Sequence, residues 1–514
     1  MNNVFWIILA FVIYIVFMIL IGAFYSRKTQ NAEDYFLGGR GLGGWVAAMS
    51  AQASDMSGWL LMGLPGSIYM LGTGELWVSI GLFLGTLLNW ILVAGRLRRY
   101  TIRANNSVTL PEYFENRFHD TTKSLILVSA IVFVVFFLVY TASALSSGAK
   151  LFNIVFGLDY KVALLIGTLV ILVYTYLGGF MAVCVTDFIQ GILMLAMILA
   201  VPIILLFVID PSSISATLDA SGVAGGAASY LNLFKSGESA ISWTTIVSGL
   251  AWGLGYCGMP HILVRFMAIK SEKELKKSRV IANVWNFLAL GIISVLAILA
   301  RVYLFPRVGV LADSENVVVM TVKELFTNQY AIPFLAGILL CAILAAIMST
   351  ADSQLLVTAS AVSKDIYADV IKKGKSVDEK KILWLSRIVV VVVAVIAFFI
   401  AWNPNSSIMS LVSDAWAGLG AAFGPVVVLS LYWKKTTKTG ALSGIIAGAL
   451  TVIIWDYIPF IGGQTIGTVT GLYSLIVGFI IGLVAVIIGS LAGKPATEEM
   501  LQEFDDVKFK RVNG

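Results

Sequence analysis

The chain has 514 residues, of which 59% are hydrophobic and only 12% are charged, and its mean hydropathy is +0.91. These values exclude a soluble globular protein and indicate a polytopic membrane protein. The net charge of +6 is not a nucleic-acid footprint, because the basic residues lie in short loops between apolar runs. The three Cys and two His residues are too few and too scattered for a disulfide framework or a metal site.

Thirteen apolar segments are predicted to cross a bilayer. They lie near residues 4–25, 45–71, 76–95, 124–149, 161–183, 186–208, 243–267, 281–305, 331–363, 382–402, 408–433, 439–457 and 472–492. Arg27 and Lys28 follow the first segment, and further basic clusters fill every second loop, one of them beginning at Arg265. Because basic residues are enriched on the cytoplasmic side, the N-terminus is predicted outside and the tail, 494–514, inside. Residues 1–493 then form one transmembrane domain.

The second segment carries an unusual polar cluster in its middle. Gln52, Ser54, Asp55 and Ser57 occur together and are followed by Gly58. A carboxylate at the bilayer centre costs roughly 2.5–3.5 kcal/mol on insertion scales, so it requires a cation, a donor or water. One interpretation is an Asp that only holds neighbouring helices together. The cluster as a whole favours an unwound helix with an ion or substrate site.

The seventh segment is the second one predicted to break. Three glycines and Pro260 occur between residues 252 and 260, and Trp252 and Tyr256 are spaced to share one helical face with Pro260. An aromatic packing stripe with glycines for close helix contact is the alternative. The position of this break favours a functional role over packing, because interrupted helices at matching places in two five-span halves indicate the midplane site of a secondary transporter.

The ninth segment presents hydroxyls. Ser349 and Ser353 share a face, with Thr350 beside them, and such oxygens replace the hydration shell of a cation such as sodium. The alternative is that these hydroxyls bond their own helix carbonyls. Asp352 needs a partner, and Asp187, at the start of the predicted sixth segment, is a candidate to share a site with it.

Residues 54–66, 110–118, 252–266 and 349–356 resemble the signatures of the sodium/solute symporter family, and the second- and seventh-segment motifs favour its proline branch. The resemblance implies an all-α membrane protein of the LeuT-type fold with thirteen transmembrane helices. Two inverted five-helix repeats would occupy residues 45–208 and 243–433. One N-terminal helix, 4–25, and two C-terminal helices, 439–492, would lie outside the repeats.

The resemblance also implies site residues. Sodium would be bound by the carbonyls of Ala53, Met56 and Ala346 and the hydroxyls of Ser349 and Thr350, with support from Asp55. The substrate pocket would be lined or closed by Ser57, Gly58, Trp59, Tyr140, Trp252, Tyr256 and Pro260. Arg40 matches a cytoplasmic-side arginine linked to coupling.

Asp187, Ser349, Asp352 and Ser353 resemble a second sodium site found in sialic-acid members of the family. Two neighbouring carboxylates do not both stay charged without a cation or a shared proton, so a second cation or proton site is predicted there. The alternative is that Asp352 pairs with a cytoplasmic Lys or Arg as a gate.

The expected function is therefore sodium-coupled import of L-proline by alternating access across the bacterial cytoplasmic membrane. We expect no enzymatic activity and no cofactor other than Na+ as the coupling ion. The expected partners are L-proline, Na+ and the lipid bilayer, with no nucleic acid and no obligate protein partner. The alternatives are a sodium symporter for another amino acid, pantothenate, sialic acid or a sugar, or else a channel or a transport-like sensor.

Overall fold

The computed structural model describes residues 3–26, 32–372 and 377–509. Arg27 and Lys28, which entered the predicted charge distribution, and the last five residues of the predicted tail lie outside the described residues. Within the described ranges the chain is almost entirely helical, as predicted for an all-α membrane protein, and its only strands form two short hairpins.

Helices of very different lengths follow one another along the chain. The first ten are α1 (Asn3–Ser26), α2 (Ala32–Leu37), α3 (Gly44–Asp55), α4 (Leu64–Leu71), α5 (Leu76–Leu88), α6 (Ala94–Arg103), α7 (Leu110–Arg117), α8 (Ser124–Phe156), α9 (Tyr160–Leu177) and α10 (Phe180–Val208). The next nine are α11 (Ile214–Ala220), α12 (Gly226–Tyr230), α13 (Trp243–Ala251), α14 (Pro260–Ala268), α15 (Glu272–Val308), α16 (Val317–Val322), α17 (Pro333–Ser360), α18 (Glu379–Ile400) and α19 (Ile408–Tyr432). The last four are α20 (Lys438–Tyr457), α21 (Ile466–Thr470), α22 (Ser474–Ala492) and α23 (Glu498–Lys508).

Short irregular helical turns and two hairpins complete the fold. Wide π turns occupy Trp59–Gly63, Asn89–Val93, Lys323–Gln329 and Ala361–Ile371. Tight 3-10 turns occupy Gly38–Arg40, Thr73–Glu75, Pro211–Ser213, Trp252–Gly258 and Ser314–Asn316. The antiparallel hairpins pair β1 (Lys235–Ser236) with β2 (Ser239–Ala240) and β3 (Pro459–Ile461) with β4 (Gln464–Thr465).

Ten helices in the described chain are long and apolar enough to cross a membrane. The other three predicted segments are the two interrupted ones and α9, which has 18 residues. The total of thirteen spans therefore stays a prediction. The sixth segment was predicted to begin at 186, but α10 begins at Phe180 after an extended Gly179, so Asp187 lies two turns inside a helix rather than at its start.

Both predicted breaks are present. The helix α3 ends at Asp55, Met56 leaves the helical region at φ −87° and ψ 80°, and helical winding resumes at Trp59. In the seventh segment, α13 passes into a 3-10 turn, Met259 is extended, and Pro260 begins α14. The glycines permit close packing here, because a Cβ on Gly258 would lie 2.6 Å from the Leu419 carbonyl oxygen of α19. Backbone irregularity at this depth is tolerated where protein surrounds it.

The two breaks, at Met56 and Met259, are buried inside the bundle rather than at its surface. The helix α3 packs against α10, α15, α14 and α17, and α17 packs on its other sides against α8 and α1. At one end of the bundle, the connection between α10 and α13 covers the end of α4, where the Tyr230 hydroxyl donates to the Ile68 carbonyl at 2.9 Å. The interrupted backbone is therefore enclosed by helices, as an ion or substrate site requires.

The tail contains a docked helix that the sequence did not predict. The helix α23 buries Met500, Phe504 and Val507, and Arg103 at the end of α6 contacts two of its carboxylates, including that of Glu503 at 3.3 Å. The amphipathic pattern of α23 is too short to distinguish a docked helix from a solvated tail.

Candidate functional site

The break after α3 and the middle of α17 meet at the carbonyl oxygen of Ala53. The Ser349 hydroxyl donates to this oxygen at 2.7 Å, and the Thr350 hydroxyl lies 3.4 Å from it. The Ser349 hydroxyl also lies 3.2 Å from the Ala346 carbonyl oxygen. Four of the predicted sodium ligands therefore converge, and all four residues are fully buried. Met56 lies at the break itself, where its N–H donates to the Gln52 carbonyl.

Asp55 connects the two interrupted segments. Its Oδ2 accepts a hydrogen bond of 2.7 Å from the Tyr256 hydroxyl, and its main-chain oxygen accepts one of 2.9 Å from the Trp59 indole. The side chain is fully buried, and Oδ1 has no hydrogen-bond partner among the described residues. A buried carboxylate with a single donor retains unsatisfied negative charge, which favours a nearby cation.

Aromatic rings surround this junction. Trp252 stacks on Tyr473 with ring centroids 5.2 Å apart, and Tyr256 meets Trp416 edge to face at 5.1 Å. Tyr140 of α8 is fully buried on the other side of the break. Gly58 is pressed against α8, because a Cβ there would lie 2.2 Å from the Ser147 hydroxyl oxygen. A side chain at position 58 would therefore require Ser147 to move.

The expectation that Trp252, Tyr256 and Pro260 share one helical face is wrong. The segment forms a 3-10 turn and an extended Met259, so α-helical spacing does not hold. Trp252 points to α19 and Tyr473, Tyr256 points to Asp55, and Pro260 lines a cavity together with Thr109 and Ser360.

Arg265 is the buried residue at the candidate site that the sequence reasoning missed. It was assigned to a cytoplasmic loop, but it is fully buried in α14. Its guanidinium donates to Asp187 at 3.1 Å, to Ser353 at 2.6 Å, and to Ser50 at 3.1 Å. Its position four residues after His261, still within the apolar run, was the available signal, because an Arg inside a span needs an acidic partner.

Asp352 lies beside this ion pair without joining it. Its Oδ1 accepts a 3.3 Å hydrogen bond from Ser353, and its Oδ2 has no partner among the described residues. The structure therefore brings the four predicted residues together and adds Arg265 between them. With Asp187 and Asp352 ionised, two buried carboxylates face one guanidinium. One negative charge is then left without a positive partner.

Arg40 joins three segments at one end of the bundle. Its guanidinium donates to the Met267 carbonyl at 2.7 Å, the Ser107 carbonyl at 2.8 Å and the Asn106 side chain at 2.7 Å. Leu42 exchanges main-chain hydrogen bonds with the end of α14 beside it. These contacts hold the start of α3 against the end of α14.

A narrow cavity of about 20 Å³ leads from Pro260 and Arg265 toward Ser360 and Thr109. This volume suffices for roughly one water molecule. Leu110 and Pro111, at the start of α7, form part of its wall. The described chain contains no cluster of three or more His, Cys, Asp or Glu residues that could hold a metal.

The chain is similar to known transporters over nearly all of its length. It is 44% identical over 498 residues to the high-affinity proline transporter PutP of Bacillus subtilis, covering 95% of this chain and 98% of that protein. It is 44% identical over 509 residues to the sodium/proline symporter of Haemophilus influenzae, covering 97% of each. The sodium/proline symporter of Staphylococcus aureus is 43% identical over 471 residues, or 91% of this chain and 89% of that protein.

Solved structures share the fold. A Na+-coupled sialic acid symporter in its outward-open state superposes with a TM-score of 0.77 at 20% identity, over 96% of this chain and 98% of that one. The nucleobase-cation-symport-1 transporter Mhp1 superposes with a TM-score of 0.55 at 13% identity, over 93% and 99%. These likenesses confirm the LeuT-type fold. Since the sodium:solute symporter profile also matches residues 35–448, the chain is a multi-pass membrane transporter that belongs to the sodium:solute symporter family.

Proposed function

We propose that this protein is a sodium-coupled symporter that imports L-proline by alternating access. The observation that carries the proposal is the 2.7 Å contact between the Ser349 hydroxyl and the Ala53 carbonyl, which joins the break in the second span to α17 through two oxygen atoms suited to sodium. The names of the relatives from Bacillus subtilis and Haemophilus influenzae support proline as the solute.

The proposed sodium site comprises the carbonyls of Ala53, Met56 and Ala346 and the hydroxyls of Ser349 and Thr350. In the structure both hydroxyls approach the Ala53 carbonyl. A sodium ion between them would rotate the hydroxyl protons away and take their oxygen lone pairs. Asp55 would support the ion through its charge. It follows Ala53 by two residues, and its carboxylate accepts a hydrogen bond from the Tyr256 hydroxyl.

The proposed solute pocket comprises Ser57, Gly58, Trp59, Tyr140, Trp252, Tyr256 and Pro260. Proline is a zwitterion with an apolar ring, and aromatic side chains at the junction offer that ring a matching surface. Its carboxylate would meet the break at Ser57 and Gly58, just before helical winding resumes at Trp59, where the helix dipole is positive. The aromatic character of this lining argues against a sugar.

The proposed topology has an outer N-terminus and a cytoplasmic tail in the bacterial cytoplasmic membrane. The inverted repeats would run over 45–208 and 243–433, with α1, α20 and α22 outside them. The two breaks at Met56 and Met259 support this division, because each lies in the first span of its repeat. Arg40 would couple the sodium site to opening of the transporter on the cytoplasmic side. Its hydrogen bonds to the Met267 and Ser107 carbonyls must break if the segments that carry these residues separate.

We also propose a second cation or proton site at Asp187, Ser349, Asp352 and Ser353. The unpartnered Oδ2 of Asp352 supports the site, and Arg265 supplies only one of the two positive charges that Asp187 and Asp352 require. The gate alternative would need Asp352 itself to pair with a basic side chain, whereas Arg265 pairs with Asp187 here.

Reversal-potential measurement of the sodium-to-proline ratio in the wild type and in Asp352→Ser tests the second site. We expect two cations per proline in the wild type and one in the variant. A ratio of one in both proteins, with the same pH dependence, would contradict the second site and leave the gate as the better account.

Uptake of radiolabelled proline into proteoliposomes, with and without an inward sodium gradient, tests the main function. We expect accumulation only with the gradient, and competition by excess unlabelled proline. Accumulation of another amino acid, pantothenate or sialic acid instead of proline would replace the solute and keep the symport. Sodium current without any solute would indicate a channel.

A further inference from the structure

His261 is a buried polar side chain that the proposed sodium and second cation sites do not use. It is the second residue of α14 and is fully buried. Neither ring nitrogen, Nδ1 or Nε2, has a hydrogen-bond partner among the residues that the structure describes. Buried side-chain nitrogens are satisfied in the large majority of cases, so this imidazole requires an explanation.

The neighbours of the ring do not supply that explanation. The imidazole lies edge to face against Phe137 at 5.7 Å and against Tyr140 at 6.0 Å. Arg265 contacts the His261 main-chain oxygen at 2.7 Å, and any residue at this position would provide that carbonyl. A Phe or Leu would fill the same apolar space without leaving two unpaired nitrogens.

Tyr140 has the same property and lies next to His261. Its hydroxyl faces Ser57 and Trp59 but makes no hydrogen bond of ordinary geometry with a described residue. The phenol and the imidazole thus extend from the break after α3 to the start of α14. These are the two discontinuities between which transporters of this architecture hold their solutes.

We propose that His261 binds the ammonium group of the solute, accepting one of its N–H donors at an imidazole nitrogen, while the Tyr140 oxygen accepts the other. The proposal rests on the proposed function. A neutral imidazole has one acceptor nitrogen and a phenol has an acceptor oxygen, so the pair matches the two N–H groups of a cyclic secondary ammonium. The carboxylate of the same solute would meet the break at Ser57 and Gly58.

The pair would make the transporter specific for N–H groups. A site that hydrogen-bonds a solute group rejects analogues that lack it, because the buried partners are then left unpaired. N-methyl-L-proline lacks one N–H, and tetrahydrofuran-2-carboxylate lacks both while keeping the ring and the carboxylate. The wild type should prefer proline over both, most strongly over the ether.

The test measures binding of these three ligands to purified protein in sodium. The variant His261→Phe removes both ring nitrogens, and His261→Gln keeps an acceptor oxygen. Loss of one hydrogen bond to a charged group corresponds to about 10- to 150-fold in affinity. We expect His261→Phe to weaken proline binding by about that factor, to weaken the ether little, and so to reduce the discrimination by the same factor. We expect His261→Gln to recover part of it.

Two controls separate this role from packing. Ile262→Val changes the next buried residue and should alter all three ligands alike. Binding of radioactive sodium without solute should be unchanged in His261→Phe, and if that variant binds no sodium, His261→Gln decides by the same ratio of affinities.

Unchanged discrimination in a sodium-binding His261→Phe variant, or equal weakening of proline and the ether, would overturn the role of His261. Absence of sodium-dependent proline binding by the wild type would instead refute the proposed function itself.

Discussion

The hydrogen bond between Tyr256 and Asp55 permits the charge of Asp55 to be separated from its position. Tyr256→Phe keeps the carboxylate charge and removes its one side-chain donor, 2.7 Å away. Asp55→Asn removes the charge and keeps a carbonyl oxygen that the Tyr256 hydroxyl can still reach. Both residues are buried, so neither loss is compensated by bulk water.

The two effects differ in size. A lost hydrogen bond to a buried charged group costs about 1.5–3 kcal/mol, or roughly 10- to 150-fold. A charge about 4 Å from a cation contributes on the order of 4 kcal/mol at an effective dielectric constant near 20, or roughly 1,000-fold. We therefore expect Asp55→Asn to raise the half-saturating sodium concentration far more than Tyr256→Phe, and nearly to abolish uptake at physiological sodium.

The assay is sodium activation of proline uptake in proteoliposomes, normalised to the amount of folded transporter. The double variant completes the cycle and reports how strongly the two changes interact. Equal shifts of the half-saturating sodium concentration in Tyr256→Phe and Asp55→Asn would refute the electrostatic reasoning. Asp55 would then act only through its hydrogen bond to Tyr256, which connects the two breaks. Wild-type sodium dependence in Asp55→Asn would refute any support of sodium by this carboxylate.

Three further predictions concern the cation sites and the cytoplasmic closure. Ser349→Ala and Thr350→Val should each raise the half-saturating sodium concentration, the former more because its hydroxyl lies closer to the Ala53 carbonyl; unchanged activation with lower protein levels would make both hydroxyls structural. Arg265→Met should cost about 3–5 kcal/mol of folding free energy by leaving the buried Asp187 carboxylate unpaired, and added Asp187→Asn should restore most of the melting temperature; a double variant no more stable than the single one would contradict the pairing. Arg40→Ala should increase labelling of a cysteine engineered into the cavity lined by Pro260, Thr109 and Ser360, whereas unaltered labelling would show that the Arg40 hydrogen bonds do not hold this end of the bundle closed.

Local chemistry made the breaks predictable. Glycine, proline and a buried carboxylate act on the backbone where they occur, so their effect at Asp55 and Pro260 could be read directly from the chain. Hydroxyls at Ser349 and Thr350 follow from helical spacing, and the structure brings both to the Ala53 carbonyl. Their use by sodium stays a prediction.

Contacts between distant residues were not predictable in the same way. Arg265 and Asp187 are 78 positions apart, and Tyr256 and Asp55 are 201 apart. Which charge meets which depends on how α14 sits against α3 and α10, and nothing in the local pattern of the seventh span encodes that. The distribution of basic residues predicted Arg265 at the cytoplasmic surface, because hydropathy alone does not reveal a buried ion pair.

The cluster formed by Arg265, Asp187 and Asp352 has an energetic consequence for transport. The inward movement of each sodium ion releases about 2.3 kcal/mol of free energy per 100 mV of membrane potential, and a tenfold sodium gradient adds about 1.4 kcal/mol. One ion would then support roughly 500-fold accumulation of a zwitterionic solute, and two ions roughly 300,000-fold. Asp187 and Asp352 together exceed the charge of Arg265 by one, so the cluster is neutral only when it holds one more positive charge. If that charge is carried inward and released with proline, the cluster sets the concentrating power of the transporter. If it stays bound throughout the cycle, the same residues only stabilise the fold. A proton would serve the first role electrically as well as sodium does, but it would make the reversal potential follow pH.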